Sequence, residues 1–322
     1  MQETIIGTDI ELAGSLLGQG ELVAIPTETV YGLAANGFDP LAIAKIYAAK
    51  NRPQFNPLIL HVANLDQLSR LVTEIPEACI QLIKRFSPGP ITYLLPKSAL
   101  VPDIVTAGSS RVAVRIPDHP LSLALLSSID FPLAAPSANP SGYVSPVSAE
   151  HVLQGLSGKI PYILDGGHCR VGLESTIVGF EVGRVIIHRL GGITAEDIRS
   201  VTGLEVDVRL SHASPTAPGQ LKSHYATSTP LIIGDIEKLI EANAGKRIGI
   251  LSFCENYAEV TERNIRLSEA ARLEEAAAGL FKAMREMDAC GLDIIIAERF
   301  PDEGIGRAIN DRLERASFKE KR

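Results

Sequence analysis

Between Pro26 and His61 the chain gathers residue types that handle a polyanion: PTETVYGLAANGFDPLAIAKIYAAKNRPQFNPLILH. Thr27, Glu28, Thr29 and Tyr31 place three hydroxyls and one carboxylate on a turn. That turn follows Leu22 to Ile25, a short apolar run that reads as a buried strand. Gly32 and Gly37 let the backbone bend tightly. Asp39-Pro40 supplies an N-cap and a first helical residue, Leu41 to Ala49 makes a short helix, and Pro53 stops it. Lys50 and Arg52 leave that helix side by side, and two cations at a helix stop suit a bound phosphate chain. Placed at an exposed helix end, they should contribute little to thermal stability. Asn56-Pro57 then turns the chain into a second strand, Leu58 to Val62, which carries His61.

Other candidates sit at strand ends further on. Arg111 to Ile116 alternates, with Arg111 and Arg115 on one face and Val112, Val114 and Ile116 on the other. Ser137 and Asn139 lie just beyond a strand at Pro132 to Ala135, where small polar residues suit a ligand crevice. Ser175 and Thr176 follow Glu174 at another strand start, and Arg189 ends a strand before Gly191-Gly192. Taken singly, each has an ordinary structural role: Lys50 and Arg52 a solvated helix end, Arg111 and Arg115 a surface pair, Ser137 and Asn139 a turn, His61 a core histidine. No glycine-rich phosphate loop of the Walker type occurs, and Gly304-Ile305-Gly306 lacks its strand–turn–helix context. A nucleotide would therefore need another phosphate cradle. No catalytic triad, paired-carboxylate site or metal-ligand spacing emerges.

The elements around these residues alternate between helix and strand. Pro76 to Phe86 and Pro120 to Ser128 read as helices, Ile91 to Leu95 as a strand, and Ser148 and Thr194 as helix caps. Strands recur near Tyr162, Ile177 and Ile186. This mixture predicts an α/β fold with a mixed sheet over residues 1–210. Residues 211–229, SHASPTAPGQLKSHYATST, are polar and aperiodic; they read as a plain linker, although a loop of that length in a compact protein is more often functional or disordered than neutral. Residues 230–322 return to strand and helix: Leu231 to Ile233, Asp235 to Asn243, Arg247 to Phe253, Ser268 to Cys290, Leu292 to Ala297 and Gly306 to Ser317. They predict a second, smaller domain of Rossmann-like, doubly wound character.

The chain has 322 residues, 45% of them hydrophobic, with a formal net charge of −7. That charge argues against a protein that coats nucleic acid over a broad surface, although a local basic pocket remains compatible with it. No apolar run reaches the roughly 18 residues of a membrane span, and MQETIIGTDI lacks a basic flank, so a cytoplasmic location is expected. Cys79, Cys169, Cys254 and Cys290 form no C-x-x-C pair, which favours buried thiols over zinc or disulfides.

Six motifs in order carry a family resemblance. They are PTETVYGL (Pro26 to Leu33), K-x-R-P (Lys50 to Pro53), NPLI-x-H (Asn56 to His61), V-x-VR-x-P-x-HP (Val112 to Pro120), APSAN-x-SG (Ala135 to Gly142) and ESTIV (Glu174 to Val178). With these the chain resembles the threonylcarbamoyl-adenylate synthases, the YrdC-like enzymes of tRNA modification, in their long two-domain form. The resemblance implies a YrdC-like twisted mixed sheet with helices. It also implies a reaction: L-threonine, bicarbonate and ATP yield threonylcarbamoyl-AMP, pyrophosphate and water, for modification of adenosine 37 in tRNA.

The resemblance assigns roles residue by residue. Lys50, Arg52, Ser137 and Asn139 match the catalytic tetrad that holds the phosphates. Arg52, Asn56, Arg111, Ser137, Ser145, Arg189 and Tyr225 match ATP contacts, Arg111 by side chain or backbone. Thr29, His61, Arg115, Ala135 (through its backbone) and Ser175 match the threonine pocket. Mg2+ is expected with ATP as substrate, without an assignable protein ligand. Partners are downstream tRNA-modifying proteins that accept the adenylate; direct contact with tRNA is left open, and no membrane is involved. The segment 211–229 corresponds to a lid over the site, with Pro218, Gly219, Lys222, His224 and Tyr225 as its working residues and the second domain as its anchor. The competing reading is an RNA-binding YrdC-like module without adenylate synthesis; a carbamoyl-transfer enzyme is disfavoured because extra zinc-binding cysteines are absent.

Overall fold

The structure, a computed structural model, describes residues 3–210 and 225–318. The chain begins with β1 (Ile5–Gly7), α1 (Ile10–Gly18), β2 (Val23–Ile25), β3 (Gly32–Asn36), α2 (Pro40–Lys50) and β4 (Ile59–His61). Next come α3 (Leu65–Leu71), α4 (Glu77–Phe86), β5 (Ile91–Pro96), α5 (Asp103–Thr106), β6 (Arg111–Arg115) and α6 (Pro120–Ser128). They are followed by β7 (Leu133–Ala134), α7 (Ala149–Leu156), β8 (Tyr162–Leu164), β9 (Thr176–Glu181), β10 (Arg184–Arg189), α8 (Ala195–Thr202) and β11 (Glu205–Val208). After Tyr225 the order is β12 (Leu231–Ile233), α9 (Ile236–Ala242), β13 (Ile248–Ser252), β14 (Arg263–Arg266), α10 (Leu273–Asp288), β15 (Ile294–Ala297) and α11 (Gly306–Ser317).

Among the described residues β1 to β11 form one mixed sheet, ordered β1-β8-β2-β3-β7-β4-β6-β5-β9-β10-β11. The last four strands make a second sheet, β12-β15-β13-β14, parallel throughout. Local chemistry explains the parts that matter for a site. The Asp39 carboxylate accepts from Leu41 N and Pro40 opens α2, while Asn51 in the left-handed region (φ 51°) closes it, so the chain turns sharply and delivers Arg52. Thr194 and Asp197 form a reciprocal capping box at α8.

The turn expected over Thr27 to Gly37 is corrected in part. Gly32–Asn36 is a strand, β3, paired antiparallel with β2 through Ala24 and Leu33. Its sequence GLAAN is small and buried on both faces, so it carries no period-two signal. The remaining turn, Pro26 to Tyr31, lies between two central strands, and Tyr31 N donates to Pro146 O. Gly37 is required for a close approach: a Cβ there would stand 2.8 Å from both Pro132 O and Leu60 Cδ2.

Register brings the candidate residues together. His61 on β4 pairs with Arg115 on β6 and with Leu133 on β7. β5 runs antiparallel to β6 and parallel to β9, so Thr92, Ser175 and Arg189 gather beside Arg115. Helices α1 and α6 cover β2, β3 and β7 on one face, with Leu17, Leu125 and Leu133 in that packing.

One hydrophobic core runs through both sheets: Leu33, Val114 and Val178 share it with Tyr225, Phe281, Met284 and Ile309. Polar links reinforce that junction. Arg285 of α10 donates to Val144 O at 2.5 Å and to Ser145 O and His151 O at 3.4 Å, and its guanidinium lies 4.8 Å from the Tyr143 ring centroid. The Tyr143 hydroxyl in turn donates to Asp288, which also accepts from Ser228 N and Thr229 N. Arg285→Met strands buried carbonyls at this junction and is expected to cost about 2–4 kcal/mol of unfolding free energy. Urea titrations followed by circular dichroism and tyrosine fluorescence check this; an unshifted midpoint refutes it.

Candidate functional site

A crevice opens where these strand ends meet. The segment between β2 and β3 supplies Thr27, Thr29 and Val30 to one wall, and β4 and β6 supply Ile59, His61 and Arg115. Ala135, Pro136 and Ser137 beyond β7 form another wall, completed by Glu174, Arg189, Arg52 and Tyr225.

Arg115 is 3% exposed and rigidly held. Its Nη2 stands 2.7 Å from Glu28 Oε1, Nη1 donates to Thr29 Oγ1 at 2.9 Å, and Nε donates to Gly89 O at 3.3 Å. Glu28 Oε2 accepts from Asp118 N, so the carboxylate is itself fixed. A guanidinium has five N–H donors, and these contacts leave part of the fork for an incoming carboxylate. Thr29 is further oriented by Thr27, whose hydroxyl lies 2.8 Å away. His61 Nδ1 is buried and has no hydrogen-bond partner among the described residues. Burial and then the nearby Arg115 push the His61 imidazole down to about 3.

The cations expected at an exposed helix end are buried instead: Lys50 is 1% exposed and Arg52 8%. The reason is the left-handed turn at Asn51, which folds the chain inward rather than letting it run into solvent. Lys50 Nζ donates to the carbonyls of Ser137 and Asn139. Arg52 donates to Asn56 O at 3.2 Å and Pro57 O at 2.9 Å. Arg189 holds Ser175 through both its carbonyl (3.0 Å) and its hydroxyl (2.9 Å). Burial, with Arg52 nearby, takes Lys50 well below its usual value. Burial also brings Arg52 and Arg189 down to about 10.

The sequence-derived residues divide by position. Arg52, Ser137, Arg189, Tyr225, Thr29, His61, Arg115 and Ala135 line the cavity. Lys50, Asn56, Asn139, Ser145 and Ser175 are buried behind its walls. Asn56 keeps both amide atoms, and Asn139 its Oδ1, without partners among the described residues. Arg111 stands apart, exposed at the start of β6, with Nη1 near Gly179. Tyr225 is 1% exposed at φ 66°, stacked on Phe281 with ring centroids 5.3 Å apart. Pro218, Gly219, Lys222 and His224 lie outside the described residues. Sequence reasoning missed Glu174 as a wall residue, and missed Arg312 and Arg285 behind it. The available signal was an arginine on an apolar helix face: Arg312 falls in register with Ile309, Leu313 and Ala316.

A cation-rich crevice at the end of a mixed sheet defines an α/β enzyme that binds anionic substrates. Residues 15–191 match the family described as "Telomere recombination", and residues 193–317 match "Threonylcarbamoyl-AMP synthase, C-terminal domain". The threonylcarbamoyl-AMP synthase of Bacillus subtilis is 45% identical over 321 residues, covering 96% of this chain and 92% of that one. That of Pyrococcus abyssi is 41% identical over 335 residues, covering 98% and 96%. The crystal structure of P. abyssi Sua5 complexed with L-threonine aligns with a TM-score of 0.91 at 40% identity, over 98% of this chain and 97% of that one. This chain belongs to the threonylcarbamoyl-AMP synthase family. Among the described residues no helix is long and apolar enough to cross a membrane.

The depressed His61 has a consequence for acid stability. An unfolded imidazole titrates near 6.5, so below that pH the unfolded chain binds a proton that the folded chain refuses. The stability contributed is complete above about pH 6.5 and drains as the pH falls toward 3. In His61→Gln the loss of unfolding free energy between about pH 6.5 and pH 5 should shrink by ~2 kcal/mol. Urea unfolding of both proteins at the two pH values tests this, and an identical pH slope contradicts it.

Proposed function

We propose that this chain makes threonylcarbamoyl-AMP from L-threonine, bicarbonate and ATP, releasing pyrophosphate and water, for threonylcarbamoyl modification of adenosine in tRNA. The observation that carries the reading is the charge of the crevice. Lys50, Arg52, Arg115 and Arg189 are all buried there, and the carboxylates are Glu28, committed to Arg115, and Glu174. Buried cations in this number require anions to complete them.

The roles follow from position. Arg115, fixed by Glu28 and Thr29, takes the threonine carboxylate, with His61, the Ala135 backbone and Ser175 around the rest of the amino acid. A neutral imidazole at His61 offers a hydrogen bond without adding to the positive charge. Threonine's amine takes up CO2 as a carbamate, and a carbamate oxygen attacks the α-phosphorus while pyrophosphate leaves. The substrate brings its own nucleophile, so the protein's task is alignment, charge neutralisation and exclusion of water. Arg52, Ser137 and Arg189 face the transferred phosphate and leaving group from the cavity wall, with Lys50 and Asn139 directly behind Ser137. Asn56, Ser145 and Tyr225 complete the nucleotide's surroundings, whereas Arg111, exposed at the far end of β6, is left out of them. Mg2+ enters with ATP as part of the substrate; the crevice carboxylates Glu28 and Glu174 are each committed to an arginine, so no protein ligand is assigned and no step is routed through the ion. The tRNA destination of the product supports a cytoplasmic enzyme that acts ahead of proteins transferring the threonylcarbamoyl group.

Incubating the full chain with ATP, Mg2+, L-threonine and bicarbonate should release pyrophosphate and form the adenylate, detected by mass; turnover that persists without threonine or bicarbonate overturns the proposal. Arg52→Ala should lose about 2–4 kcal/mol of transition-state stabilisation, read from kcat/KM. Because Arg52 is buried and bonded to two carbonyls, the same variant should also lose about 1–3 kcal/mol of stability. A variant that keeps its activity, or its melting temperature, counts against the corresponding role.

A further inference from the structure

The cations used so far reach the crevice from the first sheet; another approaches from behind. Arg312 lies on the buried face of α11 and is wholly inaccessible, at 0% exposure. Its Nε donates to Glu174 Oε2 at 2.9 Å, Nη1 to Asp311 Oδ2 at 2.6 Å and Nη2 to Leu190 O at 2.7 Å. Its guanidinium carbon is 5.2 Å from the centroid of the Tyr225 ring. Glu174 lines the cavity, and its other oxygen accepts from Ser145 Oγ at 2.6 Å. Leu190 immediately follows Arg189. Arg312 therefore touches a wall carboxylate, the backbone beside a wall cation and a wall ring.

A carboxylate in the wall of a crevice that must take a triphosphate repels that ligand unless it is neutralised, and at low dielectric the repulsion is large. The geometry points to Arg312 as a positioning residue for nucleotide binding: it cancels the charge of Glu174 and fixes the Tyr225 ring without itself meeting substrate. The second sheet thereby supplies a charge to a site built on the first. This rests on the proposed function, in that the anion repelled by an unneutralised Glu174 is taken to be ATP.

A purely structural clasp makes a different forecast, and pH separates the two. Among the described residues, the charged and titratable groups facing Glu174 are Arg312 and Asp311 from α11, Arg189 from β10, and Tyr225. Asp311 also pairs with Arg315 at 3.0 Å, so it retains an arginine when Arg312 is removed. Tyr225 is raised by burial and stays neutral through the neutral range. Among these described groups, the one that removal of Arg312 leaves to change charge in mild acid is Glu174, because a desolvated carboxyl takes up a proton more readily.

The experiment measures equilibrium binding of ATP to the full chain by calorimetry, in Arg312→Met and in Arg312→Met/Glu174→Gln, with folding checked by circular dichroism. Glutamine keeps an acceptor for Ser145, and removing both partners of a buried pair is far gentler than removing one. Arg312→Met should weaken ATP binding about tenfold or more at about pH 8, with the defect shrinking toward pH 6 as Glu174 protonates. The double variant should recover most of the affinity at both pH values. A single variant that binds as tightly as the parent, a pH-independent defect, or a folded double variant as weak as the single one each overturns the inference. If the single variant alone fails to fold, the double variant decides: near-parental affinity supports the inference, and a folded but weak double variant overturns it. Parent protein that binds ATP but forms no adenylate defeats the proposed function while leaving the Arg312 result readable.

Discussion

Everything in this structure answers to the burial of like charge. Lys50, Arg52, Arg115 and Arg189 are removed from water around a single cavity, and removing a cation from water is unfavourable by several kcal/mol unless its donors are met. The protein meets them with carbonyls and only sparingly with carboxylates. Lys50 and Arg52 rest on backbone oxygens, and Arg189 rests on the Ser175 carbonyl and hydroxyl. Arg115 receives a carboxylate, Glu28, where a guanidinium must be held at one angle. Carbonyl oxygens orient a cation without cancelling its charge. The crevice therefore keeps a surplus of positive charge that anionic substrates complete.

That choice dictates the backbone. Carbonyls can be aimed into a cavity only where strands end and the chain turns, so the working residues sit at the ends of β4, β6, β7, β9 and β10 or just past them. α2 packs on β3, and Lys50 at its last turn reaches the carbonyls of Ser137 and Asn139, while the left-handed Asn51 turns the chain on toward Arg52. The same turns hold Asn139, whose Nδ2 donates to Pro140 O and Tyr143 O.

Much of this was legible in the sequence because it is local. Asp39-Pro40 marked the start of α2, Pro120 to Ser128 gave α6 to the residue, and alternation over Arg111 to Ile116 marked β6, which ends one residue earlier at Arg115. The mixed sheet followed by a smaller α/β unit was legible from element order. The cavity-lining residues taken from the six motifs do converge in space, but it was the family resemblance, and not their types, that assembled them. What was not legible depends on packing. β3 has no alternation because both its faces are covered. The burial of Lys50 and Arg52 depends on a left-handed residue whose effect appears only when α2 meets the Ser137 loop. Short exposed strands such as β11 and β14 exist only through their neighbours.

Arg312 shows how far such packing can carry function. An arginine on the apolar face of a helix looks like an error of patterning until its carboxylate partner is found 138 residues away. Burying that pair is no gain in stability over a well-packed apolar contact, so stability alone is a poor reason for its presence. A buried pair does fix one relative placement of its two elements. Here it ties α11 to the residue that opens ESTIV, while Arg285 and Asp288 tie α10 to the loop that carries Ser145. The second sheet is thus bound at two points to backbone that forms the crevice, and its core is continuous with that of the first. The rear wall of the crevice is therefore held from a second packed layer and is not a single exposed sheet end.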